Sequence, residues 1–352
     1  MDKSRFFSIN GRSIGSGFPP YVIAEISANH NGNLDNALSI MELAKKAGVD
    51  AIKIQTYTAD TITINSNNPD FVLTEGLWAG ENLYGLYNWA HTPWDWHKYI
   101  FEKGEELGIT VFSSPFDPTA VDFLEQFNPP AYKVASFELV DIPLIEYIAS
   151  KGRPMIMSTG MAEWNEIMEA VSAAYRGGCK DLCLLHCTSG YPTPIDESDL
   201  KTIPELFKRF DTVVGISDHS LGNIVPITAV ALGACIIEKH VTLSRSIDGP
   251  DSSFSLEPDE LKDLVESVKS AWDSLGRIRI DRPDSEKPQK MMRRSIYSVS
   301  DIKKGERITE KNVRSIRPGY GLPPRDLPGI IGHTARVDIP YGTALKKSYI
   351  TK

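Results

Sequence analysis

Short apolar runs alternate with amphipathic segments along most of the chain. Eight of these runs have the length and the β-branched or aliphatic character of buried strands. They are YVIAEIS (21–27), AIKIQTY (51–57), TVFSSPF (110–116), AYKVAS (131–136), PMIMST (154–159), LCLLHCT (182–188), VVGISDH (213–219) and CIIEKHV (235–241). The amphipathic segments between them predict helices, and those at 34–48 and 163–178 close on glycine, as helices often do.

Strand and helix alternate eight times over about 280 residues, which is typical of a closed parallel (β/α)8 barrel. An open doubly wound sheet is the weaker interpretation. Such a sheet usually carries a GxGxxG turn after its first strand, and AEISANHNG (24–32) is not that motif.

Within the strands, polar and apolar side chains alternate with the two-residue period of a β-strand. We expect the apolar face to pack against outer helices and the polar face to line the barrel near its C-terminal end, where barrel enzymes keep their chemistry. For the sixth strand, this assignment predicts His186 and Thr188 inside and Cys183, Leu185 and Cys187 outside. The other polar residues assigned to the inner face are Glu25, Ser27, Lys53, Gln55, Lys133, Ser217, His219, Glu238 and His240.

Two segments interrupt this alternation. The connection between the second and third strands is long and aromatic, and only its last part, 95–107, has the pattern of a helix. Its earlier part is either a loop that covers the substrate or a packing surface. A polar, proline-containing stretch at 279–290 has the composition of a linker. We therefore predict a barrel domain at 1–280, a linker at 281–294 and a small domain at 295–352.

The small domain contains a weak internal repeat. SDIKKGERITEKNV (300–313) resembles VDIPYGTALKKSYI (337–350), and both contain Asp-Ile-x-x-Gly. The repeat predicts two related halves that are rich in turns and mainly β.

Composition limits the possible roles of the chain. Its 352 residues carry a net charge of −8, with 41% hydrophobic and 24% charged residues, which fits a globular protein. No basic stripe favours nucleic acid, no apolar run is long enough to span a membrane, and the N-terminus shows no export signal. The four cysteines lack CxxC spacing and are predicted to be reduced core residues. We expect a cytoplasmic protein without nucleic-acid or membrane partners.

Two histidines end neighbouring strands of the predicted barrel, His219 on the seventh and His240 on the eighth. Neutral imidazoles so placed can share one divalent cation, and the alternative is a pair of hydrogen-bonded core histidines. Two protein ligands would leave coordination positions for water and substrate oxygen. That arrangement suits a Lewis acid better than a structural ion.

Two lysines, Lys53 and Lys133, are predicted to face the barrel interior, where an unpaired ammonium group is costly. Salt bridges with Glu25, Glu138 or Glu238 are one explanation, and the Schiff-base lysine of an aldolase is another. A site for phosphate and carboxylate is a third, because hydroxyl groups at nearby strand ends could complete it. These hydroxyls belong to Ser114, Ser136, Ser158, Ser189 and Ser217. Glu25 itself could transfer a proton or hold a sugar hydroxyl.

The chain resembles the sialic acid synthase family over nearly its whole length. The motifs that carry the likeness, in order, are AEISANHNG, IKIQTYTADT, FSSPFD, AYKVASFE, STGM, LLHCTSGYPTP, GISDHSLG, ALGACIIEKH and SVSDIKKGE…IRPGYG. The resemblance implies a TIM barrel followed by a C-terminal antifreeze-like (SAF) domain of the β-clip type. Within the family, ISANHNG, IKIQTYT, LYNWAHTPWDWH and KVASFE are most similar to the pseudaminic acid synthases.

The resemblance implies that phosphoenolpyruvate condenses with the open-chain aldehyde of an N-acetylated amino sugar and water, giving a nonulosonic acid and phosphate. His219 and His240 would hold a divalent metal, most typically Mn²⁺, with Mg²⁺ or Co²⁺ as alternatives. Phosphoenolpyruvate would contact Lys53, Ser114, Lys133, Ser136, Ser158, Ser189 and Ser217. At Ser189, neuraminate synthases have Asn.

The resemblance also implies sugar contacts from Glu25, Asn82, Glu138, Tyr191 and Asp251. Glu25 and Tyr191 would join the two histidines as catalytic residues. Family members resemble domain-swapped homodimers, so Arg317 would reach the sugar bound in the partner subunit. Without the resemblance, Arg317 is interpreted as a solvated loop residue.

Three alternatives remain open from the sequence. An N-acetylneuraminate or legionaminate synthase would use the same chemistry on another sugar. A Schiff-base aldolase would use one of the inward lysines. The SAF-like end could instead belong to an ice-binding or carbohydrate-binding protein, although the polar barrel interior argues against a role without catalysis.

Overall fold

Eight parallel strands close into a barrel in the computed structural model, which describes residues 5–247, 249–278 and 280–351. The strands are β3 (Tyr21–Glu25), β4 (Ala51–Thr56), β5 (Thr110–Pro115), β6 (Tyr132–Val134), β7 (Met155–Ser158), β8 (Leu182–Cys187), β9 (Val213–Asp218) and β10 (Ile236–His240). Each lies inside one of the predicted runs, and β10 pairs with both β9 and β3 to close the barrel. The predicted barrel is therefore confirmed.

Helices surround these strands. They are α1 (Leu34–Ala47), α2 (Ala59–Ile62), α3 (Leu83–Ala90), α4 (His97–Leu107), α5 (Pro118–Leu124), α6 (Ile142–Ser150), α7 (Trp164–Arg176), α8 (Thr202–Phe210), α9 (Ile224–Ala231) and α10 (Pro258–Leu275). The side chain of Asn33 caps α1 at its start, and Gly48 ends it with the positive φ that glycine adopts most easily. The helix predicted near 95–107 is α4, preceded by a 3₁₀ turn at Trp94–Trp96.

The two faces of the barrel strands pack against different cores. Val22, Ala24 and Ile52 lie on the outer face, in a large apolar cluster with helix residues such as Met41 and Leu264. The inner face is apolar only at the N-terminal end of the barrel. There the cluster contains Tyr21, Ile23, Ala51, Phe112, Ala131, Ile156, Cys183, Leu185, Val213, Cys235 and Ile236.

An N-terminal hairpin, which the sequence analysis did not predict, closes that end of the barrel. It consists of β1 (Phe6–Ile9) and β2 (Arg12–Gly15). Phe7, Ile9 and Ile14 are buried in the same cluster as the first inward residues of the barrel strands. The hairpin therefore seals the barrel base with apolar side chains and leaves the C-terminal mouth for polar groups.

The predicted orientation of β8 is wrong. Cys183 and Leu185 belong to the cluster inside the barrel, and Leu182 and Leu184 pack outside among the helices. His186 shares the outer parity, and its Nε2 donates to the Ser198 carbonyl at 2.7 Å. A backbone acceptor in the next loop thus satisfies the imidazole outside the barrel, which polarity along the strand alone did not reveal.

Two compact units are present, the first ending at Gly276 and the second beginning at Arg277. The predicted bounds of 1–280, 281–294 and 295–352 remain a prediction. The second unit contains α11 (Leu327–Ile330) and two antiparallel pairs, formed by β11 (Ser295–Ser298) with β12 (Val313–Ile316) and by β13 (Thr334–Ala335) with β14 (Ile350–Thr351). The stretch before β11 holds two 3₁₀ turns, Asp284–Glu286 and Pro288–Met292.

The internal repeat of the second unit is visible as paired contacts. Ile302 and Ile339 exchange both backbone hydrogen bonds, at 2.9 and 2.8 Å. Asp301 accepts from the backbone of the second copy and Asp338 accepts from the backbone of the first, each at 2.8 Å. The two Asp-Ile-x-x-Gly motifs therefore face each other as near-equivalent halves of one core.

The described residues include all four cysteines and every helix, but not the first four residues of the chain. All four cysteines are free and buried. Among the described helices, none combines the length and the apolar character that a bilayer crossing requires. Residues 1–4, which belong to the N-terminus predicted to lack an export signal, lie outside the described residues.

Candidate active site

The polar residues of the inner face meet at the C-terminal ends of the barrel strands. The strand register pairs His240 with Glu25 and Glu25 with Lys53 across β10, β3 and β4. It also pairs Glu238 with Ser217 across β10 and β9. Because inward residues on neighbouring parallel strands lie side by side, the closure of the barrel gathers these groups around one mouth.

Two lysines and two glutamates form a buried charged group in this mouth. Lys53 Nζ lies 2.6 Å from Glu25 Oε2 and 3.7 Å from Glu238 Oε1. Lys133 Nζ lies 3.9 Å from the same Glu238 oxygen. All four side chains are at most 4% exposed. The lysines thus have carboxylate partners, as one interpretation of the sequence expected, and Glu238 lies between them.

Burial and the nearby lysines shift the pKa values of the two glutamates in opposite directions. Burial raises the pKa of Glu25 in spite of the nearby Lys53 ammonium group. Burial also acts to raise the pKa of Glu238, but Lys133 and Lys53 together outweigh it and hold that pKa below its usual value. Glu25 is therefore the carboxyl group that takes up a proton more readily. When Glu25 is protonated, the two lysines and Glu238 carry a net positive charge that suits an anionic ligand.

Three of the predicted hydroxyl groups contact this buried charged group directly. Lys53 Nζ donates to Ser114 Oγ at 3.3 Å and Lys133 Nζ donates to Ser158 Oγ at 2.7 Å. Ser217 Oγ donates to Glu238 Oε1 at 3.1 Å. Ammonium and hydroxyl donors thus alternate along β4 to β7.

Ser136 and Ser189 meet at Gly160, where a side chain would not fit. The backbone N–H of Gly160 donates to Ser136 Oγ at 3.1 Å. A β-carbon at Gly160 would lie 2.7 Å from Ser136 Oγ and would also collide with Ser189 Oγ. A glycine at the end of β7 therefore lets hydroxyls from the neighbouring strand ends approach each other.

The two histidine rings lie edge to face at the ends of β9 and β10, with centroids 5.3 Å apart. His219 Nδ1 lies 3.1 Å from the Thr188 carbonyl oxygen. A carbonyl only accepts, so Nδ1 carries a proton, and Nε2 is the nitrogen of His219 that could offer a lone pair to a metal. His240 Nδ1 is buried and has no hydrogen-bond partner among the described residues. Burial, followed by the nearby His219, holds the pKa of His240 well below its usual value, so this imidazole is neutral.

This donor set fits a divalent metal bound by two imidazoles. A free Nε2 on His219 and an unpaired buried nitrogen on His240 are the lone pairs that such an ion requires. Among residues 5–247, 249–278 and 280–351, no group of three or more His, Cys, Asp or Glu is arranged to hold a metal. The two histidines as ligands, the presence of a metal and its identity all stay predictions.

Aromatic rings form one wall beside the histidines. The Tyr191 ring lies 4.5 Å from the His219 ring and 5.2 Å from the Phe254 ring, between centroids. Trp78, from the aromatic loop, lies 5.5 Å from Tyr191, and its Nε1 donates to the Pro250 carbonyl at 3.0 Å. Part of the loop after β4 therefore reaches the site, whereas Trp94 stacks on Phe123 of α5.

A hydrogen-bonded chain connects Glu25 to Asp251. Gln55 Nε2 donates to Glu25 Oε1 at 3.1 Å and to Ser27 Oγ at 3.0 Å. Ser27, which has a positive φ, donates in turn to Asp251. Asp251 Oδ2 lies 3.7 Å from His240 Nδ1, and burial raises the Asp251 pKa. Two of the three predicted sugar-facing carboxyls, Glu25 and Asp251, thus belong to one network.

The other predicted sugar contacts have different surroundings. Glu138 lies in a 3₁₀ turn after β6, its Oε2 is buried without a partner among the described residues, and burial raises its pKa to about 7. Asn82 caps α3 and uses its side chain to bind Tyr84 N, Gly85 N and Ser66 O. Arg317 is an exposed residue of the second unit. Roles for Glu138, Asn82 and Arg317 at the sugar therefore remain predictions.

Sequence reasoning did not identify several residues that complete this site. Glu238 entered only as a partner for the lysines, and Gln55 and Ser27 only as inward polar residues. The two-residue alternation along the strands predicted the inward position of all three. That position was the signal that could have identified them as site residues. Cys187 is a further case: its predicted outward position is wrong, and its Sγ lies 4.0 Å from His219 Nδ1.

Comparison with known proteins agrees with the geometry. The model of the NeuB family matches residues 40–279, and that of the SAF domain matches residues 293–350. A pseudaminic acid synthase of Campylobacter jejuni is 46% identical over 93% of this chain and 96% of that protein. An N,N'-diacetyllegionaminic acid synthase of Legionella pneumophila is 35% identical over 97% of this chain and 98% of that protein.

A solved structure gives the same result. The crystal structure of an N-acetylneuraminic acid (sialic acid) synthetase from Leptospira borgpetersenii, in complex with citrate, matches with a TM-score of 0.73 and 31% identity. The match covers 81% of this chain and 95% of that one. Fold, motif order and these similarities agree: the chain belongs to the NeuB family of sialic acid synthases and carries a SAF domain at its C-terminal end.

Proposed function

We propose that this chain is a pseudaminic acid synthase, an enzyme that forms a carbon–carbon bond. It condenses phosphoenolpyruvate with 2,4-diacetamido-2,4,6-trideoxy-L-altrose and water, giving pseudaminic acid and phosphate. The observation that carries the proposal is the convergence of two imidazoles and two ammonium groups on one inner face of the barrel mouth. The choice of sugar is supported by 46% identity to a pseudaminic acid synthase against 35% to a legionaminic acid synthase.

Phosphoenolpyruvate binds on the side of the mouth formed by β4 to β8. Lys53 and Lys133 supply charge for its phosphate and carboxylate, and the hydroxyls of Ser114 and Ser158 already lie within hydrogen-bond distance of the two ammonium groups. The hydroxyls grouped at Gly160 extend the same donor surface. Burial strengthens these contacts, because water does not compete there.

The histidines define the position of the sugar aldehyde. His219 and His240 would hold a divalent metal, most typically Mn²⁺, which would polarise the aldehyde oxygen. Tyr191 and Trp78 form the wall beside the His219 ring and shield this end of the site from water. The pseudaminic precursor is a 6-deoxy sugar, and its methyl group is compatible with such an aromatic surface.

The inward carboxyl groups act at C2 of phosphoenolpyruvate. When C3 of phosphoenolpyruvate attacks the aldehyde carbon, positive charge develops at C2, and the ionised Glu238 between the two lysines can stabilise it. Water then adds at C2 and gives one proton to a nearby base, while the former aldehyde oxygen takes up a proton to become a hydroxyl. The C2–O bond to phosphate breaks as the C2 hydroxyl loses its proton and becomes the carbonyl. Glu25 in its ionised form is the candidate base, because its raised pKa makes it the stronger proton acceptor of the two glutamates, and Gln55 holds its carboxyl group in place.

The proposal also includes an assembly and a location. We infer a domain-swapped homodimer in the cytoplasm, with Arg317 reaching the sugar bound by the partner subunit. Support comes from the family resemblance and from the exposure of Arg317. Gel filtration with light scattering, followed by mixing of Arg317→Ala and His219→Ala chains, tests it. Recovery of activity in the mixture is expected, and two inactive variants that stay inactive together would contradict it.

The function is tested with a panel of sugars. Purified protein is incubated with phosphoenolpyruvate and the aldehyde precursor of pseudaminic, legionaminic or N-acetylneuraminic acid, with and without Mn²⁺, and phosphate release is measured. We expect the highest kcat/KM with the pseudaminic precursor and loss of activity in EDTA. A preference for another precursor would reassign the sugar. Borohydride trapping of a pyruvate–lysine adduct would instead indicate a Schiff-base aldolase.

A further inference from the structure

A fully buried ion pair lies directly behind the two histidines. Lys239 precedes His240 on β10 and Asp218 precedes His219 on β9, and the strand register places Lys239 opposite Asp218. Lys239 Nζ lies 2.5 Å from Asp218 Oδ2, and the two side chains are 0% and 3% exposed. Because strand neighbours point to opposite faces, this pair occupies the outer face while the imidazoles occupy the inner one.

The pair also encloses the peptide that carries His219. Asp218 Oδ1 accepts from the backbone N–H of Ser220 at 2.9 Å. Lys239 Nζ donates to the backbone carbonyl of Ser220. The residues on either side of His219 are thus held by one carboxylate and one ammonium group, and the ammonium group comes from the strand that carries His240.

Stability alone does not account for such a pair. Removing two charges from water is costly, and an apolar pair of similar volume is often equally stable or more stable. The Lys239 side chain is 0% exposed, so its ammonium group has no contact with water to offset the loss of hydration. Neither side chain lies on the inner face, so neither can touch a substrate there. Their geometry instead determines where two neighbouring strand ends lie.

We propose that Lys239 and Asp218 are positioning residues that fix the distance and angle between the His219 and His240 imidazoles for a divalent metal. The inference rests on the proposed function, because it takes the histidines as the metal ligands. The His219 ring is held from the other side by the Thr188 carbonyl at 3.1 Å. Loss of the ion pair would free the turn at 218–220 and let the two rings drift apart.

The test measures metal binding rather than turnover. Mn²⁺ is titrated into the full chain without substrates, and free Mn²⁺ is followed by electron paramagnetic resonance. The variant Lys239→Met/Asp218→Asn replaces the ion pair with neutral groups of similar size, and Asn can still accept from Ser220 N–H. We expect the Kd for Mn²⁺ to rise about 10–100-fold, with a thermal unfolding midpoint equal to or above that of the unchanged protein.

A matched control removes another ion pair of the same unit. Arg12 Nε lies 3.3 Å from Asp50 Oδ1 near the start of β4, at the opposite end of the barrel. The variant Arg12→Met/Asp50→Asn makes the same kind of replacement there. We expect its affinity for Mn²⁺ to be unchanged, since Asp50 is not adjacent to either histidine.

The outcomes separate this inference from the proposed function. If His219→Ala binds Mn²⁺ as tightly as the unchanged protein, the proposed metal ligands are wrong. If His219→Ala loses Mn²⁺ while Lys239→Met/Asp218→Asn binds it normally, only the positioning role is overturned. A double variant that unfolds more readily than the Arg12→Met/Asp50→Asn control also overturns it, because the pair would then support the fold rather than the ligands.

Discussion

The lower and upper halves of the barrel interior are built from the same strands but from opposite kinds of residue. At the N-terminal end, Ile23, Phe112 and Leu185 pack with the hairpin residue Ile14 into a closed apolar cluster. Two or three residues further along, the same inner faces carry lysines, glutamates, hydroxyls and imidazoles. Backbone geometry is common to both halves, so the difference lies in side-chain chemistry alone.

This contrast separates stability from activity within one barrel. Apolar burial in the lower half contributes favourable free energy without any requirement for partners. Each buried polar group in the upper half requires a partner to offset its desolvation. Several still lack one among the described residues, for example His240 Nδ1 and Glu138 Oε2. Unpartnered buried groups at the mouth of a barrel are typical of a site that binds ligands.

The largest expected effect comes from breaking the upper half at the histidines. In His219→Ala or His240→Ala, kcat/KM should fall on the order of 1000-fold or more, because loss of the proposed metal would remove several kcal/mol of transition-state stabilisation. The free energy of unfolding should change less in His240→Ala, whose Nδ1 has no hydrogen bond to lose, than in His219→Ala, which loses the bond to the Thr188 carbonyl. Steady-state kinetics with urea unfolding measure both quantities. Near-normal turnover in either variant would remove the histidines from the mechanism.

The next largest effect is expected from a substitution in the apolar lower half of the barrel. Ile14→Ala should lower the free energy of unfolding by about 2–5 kcal/mol, because it leaves a cavity in the apolar cluster. At a temperature where the protein stays folded, kcat/KM should be nearly unchanged. The matched variant Ser217→Ala, in the upper half, should show the reverse behaviour. A loss of activity in Ile14→Ala as large as in Ser217→Ala would show that the two halves are not independent.

The pH dependence of stability and of activity tests the role of Glu138 in the upper half. Burial raises its pKa from 4.5 to about 7, so the folded state favours the protonated form. Its contribution to stability is therefore fully present below the unfolded pKa and is lost as pH rises through about 7. If the carboxylate accepts a sugar hydroxyl, kcat/KM for the sugar should rise over the same range. Glu138→Gln should flatten both profiles, and an unchanged activity profile would exclude Glu138 from sugar binding.

The smallest expected effect concerns the aromatic loop. Trp78→Phe keeps a ring against Tyr191 but removes the hydrogen bond to the Pro250 carbonyl. One hydrogen bond is worth about 1 kcal/mol, so kcat/KM for the sugar should fall roughly fivefold. KM for phosphoenolpyruvate should stay the same. Trp78→Leu should lose more, and equal losses for both substrates would indicate a packing role only.

Much of this site could be predicted because the barrel repeats one rule. Period-two alternation placed Glu25, Lys53, Lys133 and His219 on one face, and eight consecutive units placed those faces around one axis. The same rule was misapplied to β8, where His186 was assigned inside on polarity. Its actual partner, the Ser198 carbonyl, lies in the following loop and could not be identified from the strand.

The chain alone determined the order of the strands, the polar character of their inner face and the two neighbouring histidines, since these depend on local pattern and chain order. Tertiary structure decided the partners. It placed Glu238 between two lysines, joined Glu25 to Asp251 through Gln55 and Ser27, and set Lys239 against Asp218 behind the histidines. Electrostatic partnership depends on distances of a few ångströms between segments far apart in the chain, and only barrel closure fixes those distances.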